Sequence, residues 1–175
     1  MIDIRTATFS YSEQEDRMLL ACSDGSAART FLLTRRLTGR VINALARALA
    51  GSSRSVSHAP AEARREVLLL EHVSSISAAS QPAGEVPVPV AAPAEVESDL
   101  VYKVDFEATD ERVALVFHSA AEPLGTLSLT RPECHKFLAA LHLFAQQGGW
   151  RLEHEADWLD RATHYVETPT GQLAS

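Results

Sequence analysis

At 175 residues and 19.0 kDa, with 46% apolar and 22% charged residues, the chain has the make-up of one folded domain or two small packed halves. That excludes a collagen-like, fully disordered or membrane-embedded chain, and about 70% of the unfolded surface can be buried at this length without a metal or disulfide staple. The net charge of −7 is unevenly spread: residues 1–70 carry ten Arg against seven Asp/Glu, and residues 71–175 carry six Lys/Arg against sixteen Asp/Glu, so any basic stripe able to neutralise phosphates must lie in the first half.

The first seventeen residues lack both a basic start and an apolar core of leader type, and no apolar run reaches the ~20 residues that span a bilayer. Two cysteines, Cys22 and Cys134, are too few for a disulfide framework and fit a reducing compartment. The expectation is a cytoplasmic protein without membrane association.

In chain order, Ala7, Phe9 and Tyr11 alternate as in a half-buried strand, a polar turn follows, and further strands are expected at 18–22 and 30–33. Thr34 then caps a helix whose apolar stripe is Leu37, Val41, Ile42, Leu45 and Leu49, stopped by Gly51. A connecting helix is expected within 60–79, on the spacing of Glu62, Glu66, Leu69, Val73 and Ile76, with a strand over the apolar run 66–73 as the alternative. Residues 80–99 are rich in proline and read as an extended linker.

The second half repeats this grammar. Setting 9–22 above 104–117 at an offset of 95 aligns Tyr11 with Phe106, Arg17 with Arg112 and Leu20 with Leu115. After one extra residue the register continues at 96, where Leu33-Thr34-Arg35 meets Leu129-Thr130-Arg131. Strands are expected around Tyr102, Val104 and Phe106, at 113–117 and at 126–129. A helix then carries Phe137, Leu138, Leu141, Phe144 and Ala145 inward and stops at Gly148-Gly149. Thr130 and Glu133 have capping-box spacing, with Pro132 in the first turn. A short strand at 150–153, a helix at 156–165 and a frayed tail complete the chain.

The expected fold is thus α+β and internally duplicated: an antiparallel meander plus helix (βββα) at 1–51 and again at 100–149. A connecting helix and a Pro-rich linker join the two in one compact domain, with 150–175 as a C-terminal appendage. The tandem order resembles the sheet-plus-helix repeats of PUR and Whirly-type single-strand nucleic-acid binders. The likeness is one of topology: those families use four strands per repeat and basic or aromatic sheet faces, whereas three strands are read here and no motif of theirs, so no residues carry over.

Candidate sites are few. Arg35, Arg36, Arg40 and Arg47, with Arg29 before and Arg54 after, are expected along the exposed side of the first helix, where a phosphate or acidic partner can bind. His154, Glu155, Asp157, Asp160 and His164 form the residue set of a divalent-metal site, but Asp157/Arg161 and Asp160/His164 are also the i,i+4 pairs of a solvated helix, which is the preferred reading. His135 and His142 lie two turns apart, too far to share a metal. Cys134 sits in a first turn where a thiol can be activated, yet no partner residue can be assigned. No phosphate loop, nucleophile elbow, paired CxxC or HExxH occurs. The leading expectation is a non-enzymatic interaction or scaffold protein, without cofactor, docking a protein partner or a second copy of itself. The alternative is a single-strand nucleic-acid binder stacking bases on Phe9, Tyr11, Tyr102 and Phe106; the third is a metal-dependent enzyme using the His154–His164 set.

Overall fold

Alternating apolar and polar residues build the strands, and the two threonine caps turn the last strand of each unit into a helix. The computed structural model describes residues 1–77, 97–153 and 156–167, with 163–167 described by backbone alone. The first unit comprises β1 (Ile2–Ile4), β2 (Thr6–Ser12), β3 (Arg17–Ser23), β4 (Ala28–Thr34) and α1 (Arg35–Ser52). A short helix α2 (Arg54–His58), a 3-10 turn (Ala61–Ala63) and α3 (Arg64–Ser77) follow. The second unit comprises β5 (Ser98–Leu100), β6 (Lys103–Ala108), β7 (Arg112–His118), β8 (Pro123–Thr130) and α4 (Arg131–Gln147), with α5 (Asp157–Glu167) after it. The protein is α+β, and both units run strand, meander, helix in the same order.

Each sheet has four strands, not the three expected from sequence, because the units exchange their first strands. Sheet order is β2-β3-β4-β5 in one and β1-β8-β7-β6 in the other. Strand β5 lies parallel to β4, and β1 parallel to β8. A three-residue strand offers too little alternation to be read from sequence, and its partner is supplied by the other unit. Gly125 admits the exchange: a Cβ there would stand 3.1 Å from both Ile2 Cγ1 and the Phe31 ring.

The sheets and helices share one core. Phe31 of β4 and Phe117 of β7, both fully buried, meet at 5.4 Å between ring centroids. Helix α4 packs on β2 of the opposite unit as well as on its own β7 and β8, and Phe9 meets Phe137 at 4.9 Å. Helix α1 in turn packs on β6, on its own β3 and β4, and on α4. Leu45 and Leu141 are wholly buried in this arrangement, and each contributes about 2 kcal/mol of hydrophobic stabilisation.

Other boundaries also differ from expectation. Helix α1 continues through Gly51 to Ser52, and Ser53 caps α2, which composition did not announce. The stretch 150–153 is not a strand. Trp150 is instead buried, and its indole N–H donates to Asp16 Oδ1 at 2.6 Å, where the Tyr11 hydroxyl also donates at 2.7 Å. Of the Pro-rich stretch only 97–99 are described; Ser98 and Asp99 belong to β5, and 78–96 lie outside the described residues. Among the described residues no helix is long and apolar enough to cross a membrane.

Candidate anion-binding cleft

The cleft forms where β3, β4, α1 and the segment after β5 converge. Thr34 ends β4 and caps α1, its side chain accepting from the Leu37 amide at 3.2 Å. Arg17 stands directly across from Thr34 in the β3–β4 ladder. Arg36 and Arg40, one turn apart, project from the exposed side of α1. With Leu37, Leu100, Val101 and Tyr102 these residues line a cleft of about 420 Å³, and no acidic side chain of the described residues lines it. Among the described residues Arg17, Arg36 and Arg40 form no ion pair, and Arg17 Nη1 is shut off from solvent without an acceptor. A guanidinium donor held this way is costly until an acceptor is supplied. Tyr102, 63% exposed, stands at the rim.

The second unit carries the counterpart of this corner. Arg112 lies across from Thr130, as Arg17 does from Thr34. There Glu133 receives both the Thr130 amide and its hydroxyl at 2.7 Å, completing a capping box. The two Thr130 bonds hold the Glu133 carboxyl below its ordinary range, and the charges of Arg112 and Lys136 add to the effect. The matching position in the first unit is Leu37.

The structure divides the arginines expected to act together. Arg36 and Arg40 enter the cleft, joined by Arg17, which sequence reasoning had used only to align the repeats. Arg35 turns the other way, donating to the Arg151 carbonyl at 3.4 Å. Arg47 lines a separate hollow of about 390 Å³ with Arg64, Arg65 and Trp158, where Asp157 already pairs with Arg65 at 3.2 Å. Arg29 pairs with Glu97 and Asp99, and Arg54 with Asp110.

The remaining candidates are placed as follows. His154 and Glu155, and the side chain of His164, lie outside the described residues. Asp157 and Arg161 do not pair within α5: Arg161 bonds Glu66 of α3 through both guanidinium nitrogens, and Asp160 lies 3.3 Å from His142 of α4. Cys134 is completely buried, and burial pushes its thiol up to about 12, opposite to activation. Phe9 is buried under α4, Tyr11 is tied to Asp16, and Phe106 packs against the core, so of the four aromatics offered for stacking only Tyr102 faces solvent.

A buried polar network escaped the sequence altogether. Arg131, which the sequence offers only as a match to Arg35, turns inward to Glu71 of α3, the Leu49 carbonyl and the Ser52 hydroxyl. Burial favours the neutral Glu71, but the facing His135 ring and the Arg131 guanidinium outweigh it and hold the carboxyl down at about 2. His135 and His72, both buried, meet at 3.0 Å between their Nδ1 atoms, with Trp158 edge-on to His72. Among the described residues no three His, Cys, Asp or Glu side chains are grouped to hold a metal.

No protein-family model matches this chain, and a search of curated proteins and one of solved structures each find no match.

Proposed function

We propose that the chain is a non-enzymatic interaction module that docks an anionic segment of a protein partner at Arg17, Arg36 and Arg40. One observation carries this reading: among the described residues, three arginines without an ion pair line a cleft with no acidic side chain, in a chain whose net charge is −7. Elsewhere the surface cations Arg29, Arg54, Arg65 and Arg161 are met by carboxylates of the chain itself. At the cleft no carboxylate of the described residues does so, and the complementary charge of an acidic partner fits there. Beside it, Leu19, Leu32 and Leu100 stand half-buried in one cross-strand row and outside the core, giving a partner an apolar contact.

The test is fluorescence anisotropy with labelled acidic and phosphorylated peptides. Binding at low salt that weakens as salt rises, and that disappears in an Arg17→Gln/Arg36→Gln/Arg40→Gln variant, supports the proposal. Absence of binding to every anionic peptide at ~50 mM salt rejects it.

Single-strand nucleic-acid binding is the second reading, favoured by the four strands per sheet, the number used by PUR and Whirly-type repeats. On it, phosphates follow the same arginines, since the proposed stacking aromatics are largely enclosed. A thymidine oligonucleotide whose affinity falls steeply with salt supports it, and indifference to salt removes it.

A further inference from the structure

We infer that the cleft seats a carboxylate of an acidic partner segment in the place that Glu133 occupies in the second unit, completing the capping box of α1 in trans. The inference rests on the docking role proposed above and specifies its chemistry.

The two corners can be compared group by group. Thr34 and Thr130 are both N-caps, and each hydroxyl accepts from the amide three residues on, at Leu37 and at Glu133. Each cap has an arginine across the ladder, Arg17 or Arg112, and a cation six residues later, Arg40 or Lys136. In the second unit one solvent-exposed carboxylate lies among these donors and charges and accepts the cap amide and the cap hydroxyl. In the first unit the donors and charges recur, but Leu37 brings no acceptor.

Two differences make the corner of the first unit more demanding. Arg112 is partly satisfied by Ser128, which accepts from its Nε at 3.3 Å and its Nη2 at 3.2 Å. The matching residue in β4 is Leu32, which has no acceptor, and Arg17 is left with Nη1 orphaned. Arg36, standing where the second unit has Pro132, adds a further positive charge. The seat therefore takes one carboxylate at the cap and favours additional acidic residues beside it. Charge complementarity selects an acidic run of a protein partner as the occupant.

Supplying the carboxylate from within tests the seat. In Leu37→Glu the new side chain can fold back on Thr34 as Glu133 does on Thr130, and a labelled oligoglutamate peptide should lose affinity roughly tenfold or more, the scale of a hydrogen bond to a charged group. Leu37→Gln removes the same apolar contacts without the charge, so its loss should be clearly smaller. Arg17→Gln and Arg40→Gln should weaken the peptide on their own, while Arg47→Gln, outside the cleft, should not. Thermal melts of each variant establish that it is folded, and the arginine variants keep the test valid should Leu37→Glu fail to fold. Equal losses in the Glu and Gln variants overturn the carboxylate seat. If a phosphoserine peptide binds through Arg17 and Arg40 and oligoglutamate does not, the seat is overturned while the docking proposal stands. If neither peptide binds, both fall. Tighter binding in a Glu85→Gln/Glu95→Gln chain assigns the seat to the chain's own acidic residues and overturns the partner assignment.

Discussion

His72 of α3 and His135 of α4 face each other with 3.0 Å between their Nδ1 atoms, inside a core that admits almost no water to either ring. At that separation one Nδ1 carries a hydrogen and the other accepts it, so a second proton has no place between them. Burial first, then the neighbouring charges of His135 and His142, pushes His72 down to about 3 from its ordinary 6.5. Glu71 and Arg131 close the same network from α3 and α4.

A pH dependence of stability follows from the sign of that shift. The unfolded chain takes up a proton at His72 below pH 6.5 and the folded chain does not, so stability is complete above 6.5 and falls as the pH drops toward 3. Between pH 6.5 and 4.5 the loss should be about 2 kcal/mol. The depressed Glu71 adds its own loss only below 4.5, toward 2. Urea melts across this range check it: His72→Gln should flatten the upper part of the curve, and an unchanged slope rules out His72 as its source.

The Arg131–Glu71 pair predicts a non-additive double variant. Arg131→Met alone leaves the Glu71 carboxylate partly buried without its main counter-charge, and should cost about 3 kcal/mol. Replacing both, as Arg131→Met/Glu71→Leu, should recover much of that loss, measured by the same melts. Additive losses would show that Arg131 stabilises through the Leu49 carbonyl and Ser52, not through Glu71.

Matched positions in α1 and α4 separate packing from binding. Leu45→Ala and Leu141→Ala, both at wholly buried sites, should each destabilise by about 2 to 5 kcal/mol. Arg40→Ala, at an exposed site with no ion pair among the described residues, should leave the unfolding midpoint unchanged while weakening the acidic peptide. A large loss of stability in Arg40→Ala would tie that side chain to the fold and remove it from the cleft's binding role.

The buried thiols give a chemical check on the fold. Burial raises both Cys22 and Cys134 to about 12. Neither should react with iodoacetamide at neutral pH in the native protein, and both should react in denaturant. Rapid native labelling of Cys134 would mean that α4 does not pack as described.

The sequence by itself determined the parts of this protein that rest on local pattern. Period-2 alternation located β2, β3, β6 and β7, and the stripe from Leu37 to Leu49 and that from Phe137 to Ala145 located α1 and α4 with the faces they bury. The capping box of Thr130 and Glu133 could be read because its groups lie three residues apart. Arg36 and Arg40 were legible as exposed cations for the same reason, but their separation from Arg47 was not. Which groups answer a surface charge depends on the elements packed around it, and the hollow at Arg47 is completed by residues of α2, α3 and α5 beside those of α1. Tertiary structure alone decided the exchange of β1 and β5, since a three-residue strand is specified by the partner it lies against. It also decided that Arg131 and His72 face inward, because each acquires its partner from an element distant in sequence, and no spacing within one helix encodes that meeting. Arg17 joined the cleft through its ladder position opposite Thr34, a pairing fixed by the β3–β4 turn and invisible to composition or charge count.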